Sequence, residues 1–199
     1  MDTATSARHD ERGFTLLEVL IAMAVTVIGL LAMAYGVGLG LAAVQISTMD
    51  TIAREKAREA IEDVVTARNT ATIQFAQICN IPASGPNPNN CLFVNGPYPM
   101  YTADSSGLVN TNASITQGTL ETYLLPGPDG ILGTADDPPP ISLTGFQRSI
   151  LVTPLGTSDG YTILQQVTVT ITYYPLVTDN PSPSTQRTVT MVAVLSPYV

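Results

Sequence analysis

One long apolar stretch constrains this chain more than any other feature. From Phe14 to Ile46 the only ionisable acid is Glu18, and the next charged residue is Asp50. The stretch exceeds the roughly 20 apolar residues that a helix needs to cross a bilayer, and also the roughly 7–15 of a secretory signal core. Proline is absent from residue 1 to Ile81. We therefore predict a helix from Phe14 to about Asn69, with residues 14–46 membrane-spanning.

The second half of this helix, residues 47–69, is amphipathic instead of uniformly apolar. Its charged residues lie mostly away from one stripe of small and apolar positions. That stripe predicts a face that packs on a folded head, residues 70–199. Its members are Ile52, Ala53, Ala57, Ala60, Ile61, Val64, Val65 and Arg68.

Glu18 is out of place in an apolar segment. A carboxylate within a membrane span costs at least about 2.5 kcal/mol on insertion scales. It lies one turn inside the stretch, so its side chain can reach towards the membrane surface. The residues around it indicate a further role.

The string Gly13-Phe14-Thr15-Leu16-Leu17-Glu18 resembles the processing signature of type IV prepilins and type II secretion pseudopilins. In those proteins a small residue precedes the cleavage point, a hydrophobic residue begins the mature chain, and Glu is its fifth residue. Gly13, Phe14 and Glu18 match these three positions, after a short polar leader of residues 1–13. The resemblance is strong over roughly residues 8–45.

The resemblance implies a mechanism. A membrane prepilin peptidase cuts between Gly13 and Phe14 and methylates the new amino group of Phe14. Glu18 then neutralises the cationic terminus of a neighbouring subunit, because either charge alone is costly where the dielectric is low. Partners are other pilin or pseudopilin subunits, the lipid bilayer and an inner-membrane assembly platform.

Orientation also depends on the resemblance. Arginines flank one end of the span, and arginines and a lysine flank the other, so the positive-charge bias alone does not orient it. The family places the leader in the cytoplasm and the head in the periplasm or outside the cell, as a single-pass protein of the inner membrane.

Three alternate glycines depart from the family pattern, in which a proline usually interrupts the membrane segment. Gly36, Gly38 and Gly40 occupy the corresponding region, and each costs about 1 kcal/mol in a helix. Two interpretations remain open: a site that stretches during assembly, or close approach of neighbouring helices.

The head sequence predicts an antiparallel sheet. The runs Phe146–Val152, Tyr161–Tyr174 and Arg187–Leu195 have strand character, with turns at 154–160 and 175–184. Alternation places Val167, Val169, Ile171 and Tyr173 on one face. The fold class is therefore α+β, with the C-terminal sheet packed on the helix stripe, and region 93–145 is loop with at most short strands.

Two cysteines bracket a loop rich in proline and asparagine. An extracytoplasmic head favours a disulfide between Cys79 and Cys91, worth about 3 kcal/mol in loop-closure entropy. The alternative is a pair of free thiols.

An acidic, glycine-rich loop is a candidate calcium site. Asp129, Asp136 and Asp137 lie among glycines, and calcium takes six to eight oxygen ligands in flexible loops. The spacing does not fit the helix–loop–helix calcium motif but is similar to Gly/Asp calcium loops of secreted proteins. A solvated acidic turn is the alternative. The triplet that begins at Asn112 matches a glycosylation sequon, which is common by chance.

Charge and composition exclude several function classes. From residue 71 onward the chain has two arginines and seven acidic residues. A nucleic-acid-binding surface needs clustered lysine and arginine, which this region lacks. The single histidine, His9, lies in the leader, so the mature chain has no Ser-His or Cys-His site and no His-bound metal. We expect a substrate of an enzyme, not an enzyme, and no required cofactor.

Two function classes remain. The first is a minor structural subunit of a type IV pilus or a type II secretion pseudopilus, because the runs VTVTITYYP and RTVTMVAVL resemble type IV pilus modification proteins and minor pseudopilins. The second is a membrane-tethered extracytoplasmic binding module or adhesin that uses calcium. A simple tether needs neither a buried Glu nor a defined cleavage point, which favours the first.

Overall fold

The computed structural model describes residues 15–87, 89–158, 161–175 and 186–197. The predicted leader, its cleavage point and Phe14 lie outside these residues, as does most of the predicted 175–184 turn. The chain divides into two compact units between Val44 and Gln45.

A single long helix, α1, runs from Leu16 to Asn69, which confirms the predicted helix to within two residues at its start. Thr15 caps it, since the Glu18 amide donates to the Thr15 carbonyl at 3.0 Å and to its Oγ1 at 3.3 Å. The helix continues through Gly36, Gly38 and Gly40, where an added Cβ would meet nothing within 4 Å. No proline or buried polar group interrupts its backbone ladder there, so helical geometry persists despite the glycine cost.

The second unit contains a four-stranded antiparallel sheet. Its strands, in their order across the sheet, are β1 (Tyr98–Pro99), β4 (Phe146–Ser158), β5 (Tyr161–Tyr173) and β6 (Arg187–Leu195). The predicted alternation in β5 is confirmed, because Val167, Val169, Ile171 and Tyr173 are all buried. Consecutive strands thus form the predicted meander.

The core lies between the sheet and the second half of α1. The buried helix residues follow the predicted stripe with two differences. Ile61, Val65 and Arg68 are only half-buried, whereas Met49 and Ala67 are buried but were not predicted. The buried set is Met49, Ile52, Ala53, Ala57, Ala60, Val64 and Ala67. These side chains form one cluster with the inward face of the sheet, which confirms the α+β architecture.

Strand β4 is longer than predicted, and the turn expected to begin at Pro154 is wrong. Pro154 lies within the strand, paired with Gln165 of β5. The Val152 amide donates to Asn80 Oδ1 at 2.7 Å, on the edge away from β5, so the nitrogen of Pro154, two residues on, faces that same edge. The missing N–H therefore removes no ladder bond, and register shifts follow only between Pro154 and Thr157.

Region 93–145 forms only short elements, one of which is β1 of the sheet. Two strands, β2 (Thr122–Tyr123) and β3 (Ile141–Ser142), pair as an antiparallel ribbon. A short helix, α2 (Asn112–Gln117), was not predicted. Thr111 caps it by accepting from the Ser114 amide at 3.1 Å, and that N-cap threonine was the available sequence signal. The sequon therefore lies in a helix.

Candidate functional site

The first unit presents an apolar helix with an acid in its first turn. Glu18 lies there with its side chain exposed. Between Glu18 and Asp50 the sequence contains one ionisable group, the phenol of Tyr35. Its predicted partner, the amino group of Phe14, lies outside the described residues.

Among the described residues, the large apolar side chains of this unit are exposed. Leu16 is 79% exposed, Leu31 65% and Val44 63%, and the most apolar window of the helix has a mean hydropathy of 2.5. Exposed aliphatic residues on every face of a helix require lipid or other helices as surroundings. By length and composition α1 can cross a membrane, and this indicates membrane anchoring.

In the second unit, one tyrosine of β5 and one of β2 donate hydrogen bonds to acidic residues of α1. Tyr173 donates to Asp50 Oδ1 at 2.6 Å, and Tyr123 donates to Glu55 Oε2. The hydrogen bond from Tyr173 holds the pKa of Asp50 below its usual range. Burial and the hydrogen bond to Asp50 raise the pKa of Tyr173 to about 12. These bonds fix the amphipathic half of the helix to the head.

A buried charge network adds a stronger link and was missed by the sequence reasoning. Arg148 of β4 is 2% exposed and donates to Glu121 Oε1 at 2.9 Å. Glu121 Oε2 lies 3.1 Å from Lys56 Nζ, which also contacts Glu59 at 2.7 Å. Arg148 also donates to Asn110 Oδ1 at 3.1 Å. One available signal was that Arg148 occupies an inward position, between Phe146 and Ile150.

Asp63 of α1 belongs to the same electrostatic environment. Desolvation by burial raises its pKa to about 6, and the negative charges of Glu59 and Glu121 add to that effect. Arg148 and Lys56 oppose it. The site therefore holds more negative charge than its two cations neutralise at neutral pH.

The predicted disulfide is present. Cys79 and Cys91 are joined with an S–S distance of 2.02 Å and a Cα–Cα distance of 4.8 Å. The adjacent Asn80 side chain bonds to β4 in both directions: its Nδ2 donates to the Ile150 carbonyl at 2.8 Å, while its Oδ1 accepts from Val152. The disulfide loop is thereby secured to the edge of β4 that faces away from β5, beyond the residues that pair with β1.

The acidic loop brings its three predicted residues together. Carboxylate oxygens of Asp129, Asp136 and Asp137 lie within 4.8 Å of one another. Both Asp137 oxygens already accept backbone amides, from Gly127 at 2.8 Å and from Gly133 at 2.5 Å. The Gly127 bond is the largest cause of the lowered pKa of Asp137. The turn is thus held by its own hydrogen bonds, and Asp129 and Asp136 are exposed.

Comparison with known proteins bears on the N-terminal segment. The model of the prokaryotic N-terminal methylation motif matches residues 8–34. That range contains Gly13, Phe14, Glu18 and the first half of the apolar stretch. The chain matches no curated protein and no solved structure. The chain therefore carries a type IV pilin-like prepilin signature at its N-terminus.

Proposed function

We propose that this protein is a minor structural subunit of a type IV pilus or a type II secretion pseudopilus. Prepilin peptidase cleaves it between Gly13 and Phe14 and methylates Phe14. An inner-membrane assembly platform then incorporates it into a filament through α1, while the head stays outside the cytoplasm. The minor role is supported by the resemblance of the β5 and β6 sequences to pilus modification proteins and minor pseudopilins.

One observation carries the proposal. The methylation motif at residues 8–34 leads directly into a helix whose apolar side chains are exposed on all sides. A helix of this kind is soluble only in lipid or against other apolar helices. Processing after Gly13 places this helix near the N-terminus of the mature chain, so that the same surface serves first as a membrane anchor and then as a filament core.

Glu18 neutralises the terminal amine of a neighbouring subunit in the proposed filament. Phe14 and Glu18 are four residues apart, so their groups are separated by about 6 Å along a helix axis. In an axially staggered pair of helices, the terminal amine of one subunit reaches the carboxylate of another. The pair neutralises two charges that would each be costly in an apolar environment.

The test is the variant Glu18→Ala, with Glu62→Ala as the matched control. Glu62 is an exposed acid of the same helix that pairs only with Arg58 among the described residues, at 2.6 Å. Glu18→Ala should keep membrane insertion and cleavage at Gly13 but lose most of its incorporation into sheared filaments. Glu62→Ala should retain both. Wild-type incorporation of Glu18→Ala would contradict the intersubunit charge pair.

A second function is supported by the acidic loop. We propose a calcium site at Asp129, Asp136 and Asp137, through which the head serves as a calcium-dependent binding module. The convergence of three carboxylates supports it. Asp137 already has a structural role, so the ion would rely mainly on Asp129, Asp136 and backbone carbonyls.

Thermal unfolding with and without calcium tests the second function. Calcium in large excess over its Kd should raise the Tm of the wild type, because it binds only the folded state. Asp136→Asn should abolish that rise, while Glu62→Gln should keep it. No rise in the wild type, or an equal rise with magnesium, would contradict a calcium site.

A further inference from the structure

The outer face of the sheet carries no charged residue among its described positions. These are the side chains of β4, β5 and β6 that point away from α1: Gln147, Ser149, Leu151, Thr153, Leu164, Gln166, Thr168, Thr170, Thr172, Thr188, Thr190, Val192 and Val194. Solvent-facing surfaces of soluble domains normally carry interspersed lysine, arginine and acidic residues, which limit association. Depletion of charge is instead typical of the centre of a protein interface.

Strand register gives this outer face an ordered pattern. Leu151, Thr168 and Val192 lie side by side in one row across the three strands. Leu151 is 43% exposed and Val192 54% exposed, and the next row ends in Val194, which is also 54% exposed. Two rows of hydroxyl and amide side chains follow, such as Ser149, Thr170 and Thr190. Aliphatic residues are thus concentrated at one end of the face.

We infer that the outer face binds the same face of a second copy of this chain. A two-fold axis parallel to β5 places β4 of one copy opposite β6 of the other. Each row of side chains in one copy then lies opposite the same row of the other copy, with the strand order reversed. Leu151 therefore packs against Val192 of the second copy, and Thr168 packs against Thr168. The same patch is complementary to itself, as a two-fold interface requires.

Charge restricts where two heads can approach each other closely. From residue 71 onward two arginines stand against seven acidic residues, so two heads repel each other over most of their surfaces. The outer face is uncharged and allows close approach without burying an unpaired charge. It also offers no basic group that would select an acidic partner.

The size of the face predicts a weak interaction. Three strands about 4.8 Å apart and nine residues of about 3.3 Å each give roughly 400 Å² per copy. The total of about 800 Å² falls below the roughly 1,200–2,000 Å² of stable complexes. Pairing therefore depends on subunits that share one membrane, where tethering raises their effective concentration. In this respect the inference rests on the proposed function.

Crosslinking of the full-length chain in its native membrane tests the inference. Two differently tagged copies, each with Thr168→Cys, are co-expressed and treated with a short bismaleimide, since facing sheets lie about 10 Å apart. The native cysteines are bonded to each other and do not react. Thr116→Cys, an exposed position on α2, is the matched control.

We expect a dimer that contains both tags for Thr168→Cys and little for Thr116→Cys. Adding Val192→Lys should lower the crosslinked fraction at least about tenfold, because the ammonium would be enclosed against leucine. Adding Thr116→Lys should leave it unchanged. A missing dimer, equal crosslinking at Thr116→Cys, or a crosslink to another protein instead would overturn the inference.

The N-terminus of each sample is determined in the same experiment. A methylated Phe14 terminus without a Thr168→Cys dimer refutes the pairing and leaves the proposed function standing. An unprocessed terminus refutes the proposed function, whether or not the dimer forms.

Discussion

Replacing Asp63 by Asn should stabilise the protein at neutral and alkaline pH. Burial raises the pKa of Asp63 from 3.8 to about 6, so the folded state holds this proton more tightly than the unfolded state does. The associated stability is complete below the unfolded pKa and is lost as the pH rises through about 6. Above pH 7 the ionised acid costs free energy that Asn would not.

The magnitude follows from the shift. About two pKa units correspond to about 3 kcal/mol, and solvent screening at this half-buried site reduces the effect to about 1 kcal/mol. We expect Asp63→Asn to raise the Tm by about 2–4 °C at pH 8. At pH 4 the gain should nearly vanish, because the folded wild type is already protonated.

The assay is thermal unfolding of the full chain in detergent, followed by circular dichroism at both pH values. Glu62→Gln is the control, since Glu62 is exposed and pairs with Arg58 at 2.6 Å; it should give no gain at pH 8. An equal gain for Asp63→Asn at pH 4 and pH 8, or a loss at pH 8, would refute the reasoning.

Three further variants test the packing of the head by chemical unfolding. Arg148→Met should cost about 3–5 kcal/mol, because it leaves Glu121 buried with one cation fewer; a cost below about 1 kcal/mol would contradict the network. Asn80→Ala should cost about 1–3 kcal/mol, because it leaves two backbone groups of β4 without their partner, and no loss would refute that role. Cys79→Ser with Cys91→Ser should cost about 3 kcal/mol; unchanged stability would show that the loop is held without its disulfide.

Local periodicity explains what the sequence predicted well. The stripe that contains Ala53, Ala57 and Val64 repeats at the spacing of a helix, and β5 alternates strictly, so each pattern determines its buried face without reference to the rest of the chain. The disulfide prediction rested on the two cysteines of the chain and on the expectation that the head lies outside the cytoplasm. Each of these inferences needed only neighbours in sequence or a single pairing.

The missed features depend on contacts between distant residues. The continuation of β4 through Pro154 depends on the edge that the proline nitrogen faces. Asn80, which lies 72 residues from Val152, binds the strand on that edge. Arg148 and Glu121 are 27 residues apart. Glu121 lies outside the four-stranded sheet, so the tertiary fold and not strand pairing brings them together. A charged residue at an inward strand position indicates a partner but does not identify it.

The N-terminus of the protein isolated from its native membrane tests the central claim most directly. The predicted cleavage after Gly13 would remove 13 of the 199 residues, and intact-mass and fragment spectra should show a chain of 186 residues with an N-methylated Phe14. Replacing Gly13 by a bulky residue such as Leu should leave the leader attached and prevent methylation. An intact Met1 terminus in the wild type, or an unmethylated cut elsewhere, would contradict the prepilin account.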